Sequence, residues 1–261
     1  MELLYGAIIG DIVGSRFEFN NHRSKKFDLF HKDCFATDDS IMTIAIANAV
    51  HEHLKTKKDL SELAVTWMQE LGRPYPNCGF GGHFYEWIYD AYPEAYYSFG
   101  NGAAMRVSAC GIYGNTLEEV KYLSKLVTEV THNHPEGLKG AEATAVCVYL
   151  ARIGEKKEYI RKYVNENYYK LDFTLDEIRN TYKFNETCQE TVPQAIEAFL
   201  ESESFEDAIR CAISIGGDSD TLAAITGPIA GAYYGIPSNF IEEAKKYLDK
   251  RLLSACNNLE D

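Results

Sequence analysis

Apolar residues recur along the chain at the three- and four-residue spacing of helices, and alternating β-branched runs bounded by turns are nearly absent. An all-α fold is the expectation. Local punctuation agrees. Asp59-Leu60-Ser61-Glu62 opens a segment that stops at Gly72, just before Pro74, an acidic cap followed by a glycine exit. Thr116 with Glu119 and Thr187 with Glu190 have capping-box spacing, and Ser204 with Asp207 is a weaker version. Phe27 to Ala36 predicts a loop or extended piece leading to Thr37, and the charged stretch from Glu155 to Asp176 reads as a solvated helical excursion.

Two segments depart from ordinary amphipathic helices. Gly6, Gly10 and Gly14 recur every fourth residue, as do Gly227, Gly231 and Gly235. Each helix then carries a stripe without side chains, where another backbone can approach. Because glycine weakens a helix, the stripes need a packing reason. The simplest is that the two helices cross near the centre of the fold and bring the ends of the chain together. No linker, low-complexity tract or fixed-period repeat interrupts residues 1–261, so one compact helical domain is expected.

Composition narrows the function classes. With 46% apolar residues, the chain can bury a sizeable core. The net charge of −13 repels a polyphosphate backbone and attracts metal cations, which argues against nucleic acid as a partner. The apolar start MELLYGAIIGDIV carries Glu2 where a secretory signal needs positive charge, and Asp11 interrupts it. Nor is any stretch apolar for long enough to span a membrane. The seven cysteines are scattered and include no Cys-x-x-Cys pair. A cytoplasmic protein with free thiols is the expectation.

Two acidic clusters carry the candidate chemistry. Thr37-Asp38-Asp39-Ser40 stands directly before the apolar run IMTIAIANAV, a placement that capping alone would explain. Gly216-Gly217-Asp218-Ser219-Asp220-Thr221 turns through two glycines into the second glycine-striped helix. Asp218 and Asp220 straddle one residue, so a tight turn can aim both carboxylates at one point, with the Thr221 hydroxyl adding a neutral oxygen. Hard cations such as Mg²⁺ and Mn²⁺ prefer oxygen ligands of this kind. Two acid-plus-threonine clusters at helix starts point to a two-metal site. Asn101 and Gly102 open the helix AAMRVSACGIY with backbone N–H groups suited to a diphosphate, although Asn101 also reads as a plain N-cap. Gly79, Gly81 and Gly82 form a further glycine-rich loop.

With these residues in view, the chain resembles the ADP-ribosylglycohydrolase family, which includes the dinitrogenase reductase-activating glycohydrolase. The resemblance rests on GAIIGDIVGSRFE, on TDDS at residues 37–40, on FGNGAAMR at residues 99–106, on Thr131-His132, and on GGDSDT followed by LAAITGPIAGAYYG. It implies an orthogonal helical bundle whose cleft holds two divalent cations, Mg²⁺ or Mn²⁺. The implied metal ligands are Thr37, Asp38, Asp39, Asp218, Asp220 and Thr221. Glu18 matches the acidic residue that follows the first helix and reaches the metal centre. His132 matches a histidine in the substrate cleft near the ribose and phosphates, while His134 reads as a supporting or surface group. Residues 188–202, CQETVPQAIEAFLES, depart from the tyrosine-valine-aspartate pattern of many relatives near the leaving group, which puts the substrate in doubt more than the chemistry.

The activity implied is removal of ADP-ribose from a protein side chain, arginine first, or from a related small conjugate. Water attacks the anomeric carbon, with Glu18 or Asp39 as general base. Two alternatives stay open: a silent ADP-ribose-binding or structural protein on the same fold, and a two-metal phosphoesterase. Oligomeric state is not legible in the sequence.

Overall fold

In the computed structural model, which describes residues 2–259, helices follow one another from end to end. The first eight are α1 (Tyr5–Ser15), α2 (Asp38–Thr56), α3 (Leu60–Gly72), α4 (Gly82–Tyr89), α5 (Gly102–Met105), α6 (Ser108–Tyr113), α7 (Leu117–Thr128) and α8 (Pro135–Arg152). Then come α9 (Lys157–Asn167), α10 (Leu175–Ile178), α11 (Cys188–Glu201), α12 (Phe205–Ile213), α13 (Ser219–Tyr234), α14 (Ser238–Ala244) and α15 (Lys250–Asn257). Among the described residues no strand occurs, and one isolated bridge joins Gly100 to Thr187. The fold is all-α.

Start signals in the sequence are met by the expected side chains. Asp59 accepts the Glu62 N–H at 2.9 Å, Thr116 accepts the Glu119 N–H at 3.1 Å, and Ser204 accepts the Asp207 N–H at 3.1 Å. Thr187 differs. Its hydroxyl donates to Asn185 Oδ1 at 2.7 Å, so the expected capping box at α11 does not form. An asparagine that also accepts the Thr187 N–H, at 2.9 Å, has drawn the threonine into a local turn. The complete box instead opens α10, between Thr174 and Glu177. Residues 27–36 form no regular element, as expected.

The stretch from Glu155 to Asp176 is less solvated than its charge suggests. Ile160 and Val164 of α9 are buried, as are Tyr169, Leu171 and Leu175 beyond it. Arg161 anchors the excursion to α11 through a two-pronged pair with the buried Glu197, 2.7 Å on each arm. One apolar face among many charges was enough to dock it.

At the centre, α1 lies against α13 in the most extensive helix–helix contact of the molecule. Both are apolar all round and buried over nearly their whole length, as interior helices must be. A methyl group at Gly6 would sit 2.6 Å from the Gly227 carbonyl oxygen, and one at Gly14 would sit 2.5 Å from the Asp220 Cα. At Gly10 the collision with the Ala223 carbonyl is closer still. The N-terminal stripe therefore works as a whole, whereas the second contributes only Gly227. Gly231 packs under the Ile236 side chain, and Gly235 ends the helix at φ 79°. A left-handed terminus and a close crossing both select glycine, so the common period concealed two different causes.

No disulfide joins any of the seven cysteines, six of which are buried. No helix among the described residues is long and apolar enough to cross a membrane.

The crossing yields a prediction with a definite sign. Helix propensity alone says that Gly10→Ala should gain about 1 kcal/mol, whereas a methyl group forced against the Ala223 backbone should cost on the order of 1–3 kcal/mol or more. We expect the clash to win. Urea unfolding should show Gly10→Ala clearly destabilised and Gly81→Ala, which meets nothing within 4 Å, within about 0.5 kcal/mol of the parent. An unchanged or more stable Gly10→Ala would refute the crossing.

Candidate functional site

The crossing determines where the acids go. Asp11 points from the middle of α1 toward the start of α2, where it accepts from the Thr37 N–H (2.9 Å), the Thr37 hydroxyl (2.7 Å), the Ser40 N–H (3.0 Å) and the Ser40 hydroxyl. One buried carboxylate thus fastens both ends of the Thr-Asp-Asp-Ser turn. Thr37 still caps α2 by accepting the Asp39 N–H at 3.2 Å. From the other side, the Thr221 hydroxyl donates to Asp39 Oδ2 at 3.2 Å, bridging 182 positions of sequence. Gly216 (φ 72°) and Gly217 (φ 77°) turn the chain into α13 in the left-handed region that favours glycine. Asn21 clasps that turn by donating to the Gly217 carbonyl (2.8 Å) and accepting the Gly217 N–H (2.9 Å). Glu18 is thereby held opposite Asp218 and Asp220.

Carboxylate oxygens of Asp11, Asp39 and Asp220 lie within 4.8 Å of one another, and so do those of Glu18, Asp218 and Asp220. The two triads share Asp220. Asp38 joins neither but is half-buried on the wall of the same cleft. At an effective dielectric near 20, two unit charges at such a distance repel by on the order of 3 kcal/mol. That exceeds the ~1 kcal/mol a capping acid contributes, so capping alone does not account for the cluster. Burial, and then neighbouring carboxylates, push Asp38, Asp39 and Asp220 well above the ordinary range; burial also raises Asp218. Burial raises Asp11 to about 6, and burial followed by the Asp218 charge raises Glu18 to about 7.

A divalent cation fits this donor set. The buried Asp39 Oδ1 has no hydrogen-bond partner, an expensive state for a carboxylate oxygen unless a cation occupies its lone pairs. Asp39 shares its triad with Asp11 and Asp220 and lies beside the Thr221 hydroxyl, and carboxylate and hydroxyl oxygens are the ligands of hard cations. Asp39, Asp218 and Asp220, buried on the floor of the cleft, are the residues best placed to hold such ions, and Glu18, half-buried at their edge, faces them. Thr37 and Thr221 lie at the same floor, each already donating its hydroxyl proton to a carboxylate.

The wall opposite is built from the 99–102 turn and from His132. The Asn101 side chain donates to Asp218 Oδ2 at 2.7 Å, making Asn101 a support for the acidic cluster. Its backbone N–H is spent on the Glu186 carbonyl at 2.7 Å and is not free to meet a diphosphate. That corrects the expectation from sequence. The cause is the segment entering α11, which is stitched to the turn by this bond and by Cys188 N–H to the Phe99 carbonyl, 2.9 Å. Gly102 lines the cleft beside His132, which is buried and kept neutral, its basicity driven well down by burial and by Arg106. His134 caps α8 by accepting the Glu136 N–H at 3.0 Å and sets its ring edge-on to Tyr97 and tilted against Phe99. Gly79, Gly81 and Gly82 line the cleft, Gly79 (φ 122°) lying close on the Asp38 carboxylate.

Asp11, Asn21, Arg106 and Glu186 escaped the sequence reading as parts of the site. Asp11 had a signal, a lone acid inside an apolar glycine-striped helix. The others belong to segments whose positions only the tertiary fold reveals.

Comparison with known proteins is consistent along the whole chain. The family model described as ADP-ribosylglycohydrolase matches residues 1–260. The ADP-ribosylhydrolase ARH3 of Homo sapiens is 24% identical, with 96% of this chain and 90% of that protein covered. The ADP-ribosylarginine hydrolase Tri1 of Pseudomonas putida (strain GB-1) is 26% identical over 92% of this chain and 72% of its own. Among solved structures, an ADP-ribosylglycohydrolase-related protein complex superposes with a TM-score of 0.68 at 21% identity, covering 100% of this chain and 97% of that one; the likeness shows a shared fold.

The raised acids make stability depend on pH. Asp11 and Glu18 hold protons more tightly folded than unfolded, so the native state binds more protons between about pH 4 and 7. In chelator, stability should fall as pH rises through that window. Scanning calorimetry in EDTA should give a lower Tm at pH 7.5 than at pH 5, and Mg²⁺ or Mn²⁺ should raise Tm more at pH 7.5. A Tm independent of both pH and cation would show that the acids neither repel nor bind.

Proposed function

The chain belongs to the ADP-ribosylglycohydrolase family, and from that premise we propose that it is a divalent-metal-dependent glycosidase, one cytoplasmic domain acting on ADP-ribosylated protein side chains, arginine first, or on a related small ADP-ribose conjugate. The observation that carries the reading is the pair of carboxylate triads sharing Asp220 in a cleft whose opposite wall presents a neutral histidine. Guanidinium as the acceptor is supported by the cleft's unpaid negative charge, to which Glu186 and Asp38 add.

Cleavage of a ribosyl bond runs through an oxocarbenium-like state attacked by water at the anomeric carbon. Bound divalent cations would supply charge neutralisation and Lewis acidity at that centre. Among the acids, Glu18 is the best general base. It stands half-buried at the cleft, and its carboxyl titrates near neutrality, where a base can take a proton from water and later return it. Asp39 is buried and its Oδ2 accepts the Thr221 hydroxyl, which suits a cation ligand. Asn101 keeps Asp218 turned into the cleft, and His132 offers a hydrogen bond to an anionic oxygen of the ligand.

Incubation with ADP-ribosyl-arginine and ADP-ribosyl-serine conjugates in Mg²⁺ or Mn²⁺, followed by mass spectrometry, should detect free ADP-ribose, with the arginine conjugate consumed faster. Glu18→Gln should lower kcat by roughly 10²–10⁴-fold while keeping the cation-induced rise in Tm. Asp39→Asn should lose activity and that rise together. No release of ADP-ribose from either conjugate, or full turnover by Asp39→Asn, would overturn the assignment.

A further inference from the structure

Arg106 is the largest side chain buried almost completely, at 1% exposure, and among the described residues no carboxylate forms an ion pair with it. A guanidinium so placed is unusual, since charges taken out of water normally find an opposite charge. Arg106 has a hydroxyl and an imidazole instead. Its Nη2 donates to Thr131 Oγ1 at 2.6 Å and faces His132 Nδ1 at 3.5 Å, its face lies 5.6 Å from the Phe84 ring centre, and its Nε has no partner.

The directions of these bonds determine the state of His132. Arginine can only donate, so an N–H aimed at Nδ1 from 3.5 Å disfavours a proton there. Thr131 Oγ1 already accepts from Arg106, and its own proton has two outlets, His132 Nδ1 at 2.7 Å and the Thr128 carbonyl at 3.4 Å. The shorter wins, and the hydroxyl also donates to Nδ1. Nε2 is left to carry the ring proton. It lies beside Gly100 and Gly102, where a Cβ on either glycine would come within 3.5 Å of it, on the wall of the cleft.

We propose that Arg106 and Thr131 are positioning residues that lock His132 with its proton on Nε2, as a permanent neutral hydrogen-bond donor to an anionic oxygen of the ligand. The inference rests on the cleft being the ligand site proposed above; its chemical content, the tautomer, is a property of the free protein.

Groups on every side are compatible with that state. Arg106 precedes α6, the Tyr96 ring stands 5.9 Å away, Gly137 of α8 packs on the histidine's backbone and Cβ, and Asp38 acts on Arg106 from across the cleft. Among the described residues no carboxylate pairs with His132, unlike His31, which stands 3.2 Å from Asp33. Burial and the Arg106 charge both disfavour imidazolium, so the ring stays neutral through the range in which an ordinary histidine titrates. A donor that cannot change its protonation is preorganised for a negatively charged ligand and useless as a shuttle of protons.

The tautomer can be read directly. In ¹⁵N-labelled, ligand-free protein, long-range proton–nitrogen spectra, with His132→Gln to assign the signal, should show His132 as the Nε2–H form, unchanged from pH 5.5 to 8. Thr131→Val, which keeps the shape and removes the bridging hydroxyl, should bring Nδ1–H into the spectrum and weaken ADP-ribose binding roughly tenfold. Arg106→Met removes the donor and the charge but leaves the burial, so the ring should stay neutral at pH 7 while Nδ1–H gains in the spectrum; if that variant fails to fold, the wild-type spectrum and Thr131→Val still decide. An Nδ1–H ring in the wild type, a titrating one, or a Thr131→Val variant with unaltered spectrum and affinity would overturn the proposal. A protein that releases no ADP-ribose yet shows a fixed Nε2–H ring would sink the hydrolase reading and uphold this one.

Discussion

Everything at the site depends on the distance of closest approach between α1 and α13. Where side chains keep two helices apart, their axes run 8–10 Å from each other; here three glycines on one helix let it rest on the backbone of the other. Asp11 and Asp220 can then share one cluster although they come from opposite ends of the chain. Any residue larger than glycine at positions 6, 10 or 14 would move the two carboxylates apart as well as strain the core. Packing and electrostatics are coupled through this one spacing.

The cluster is costly in the protein alone, and the surroundings show how the cost is managed. Asp11 is saturated with four donors and holds the loop before α2 in shape. Asn101 satisfies one oxygen of Asp218, and Thr221 one oxygen of Asp39. What stays unsatisfied is the buried Asp39 Oδ1. On the opposite wall the polarity is reversed, with a buried guanidinium standing behind a neutral ring. A ligand with a negative middle and hydroxyl-bearing or cationic ends would find a matching partner at each point.

Much of this was legible in advance because it depends on local chemistry. Caps at Asp59, Thr116 and Ser204 are decided by three or four neighbouring residues, and the two glycines before Asp218 announce their turn. The crossing was readable from the period of Gly6, Gly10 and Gly14, but Gly231 and Gly235 share that period for unrelated reasons, since spacing cannot distinguish a helix contact from a helix end. Thr187 shows the same limit: Asn185 competes for its hydroxyl, and a motif read alone does not include its competitor. The engagement of the Asn101 N–H was not legible, because its partner, the Glu186 carbonyl, lies more than eighty positions away and no local pattern reveals it. Arg106 gave no signal at all, as a lone arginine in a helical stretch is ordinarily solvated.

The pairing of α1 with α13 also has a consequence in time. A ribosome completes the first helix long before the one it must rest on; at ~5–20 residues per second the wait is on the order of ten seconds or more. During that interval an apolar helix weakened by three glycines has no partner to shield it, and its lone acid has no threonine or serine to hold until α2 emerges. Contacts of such long sequence separation are the slowest to close. Biogenesis of this chain therefore waits on α13: a message truncated before residue 219 would encode most of the core yet leave the first helix unclaimed, a substrate for chaperones and proteases.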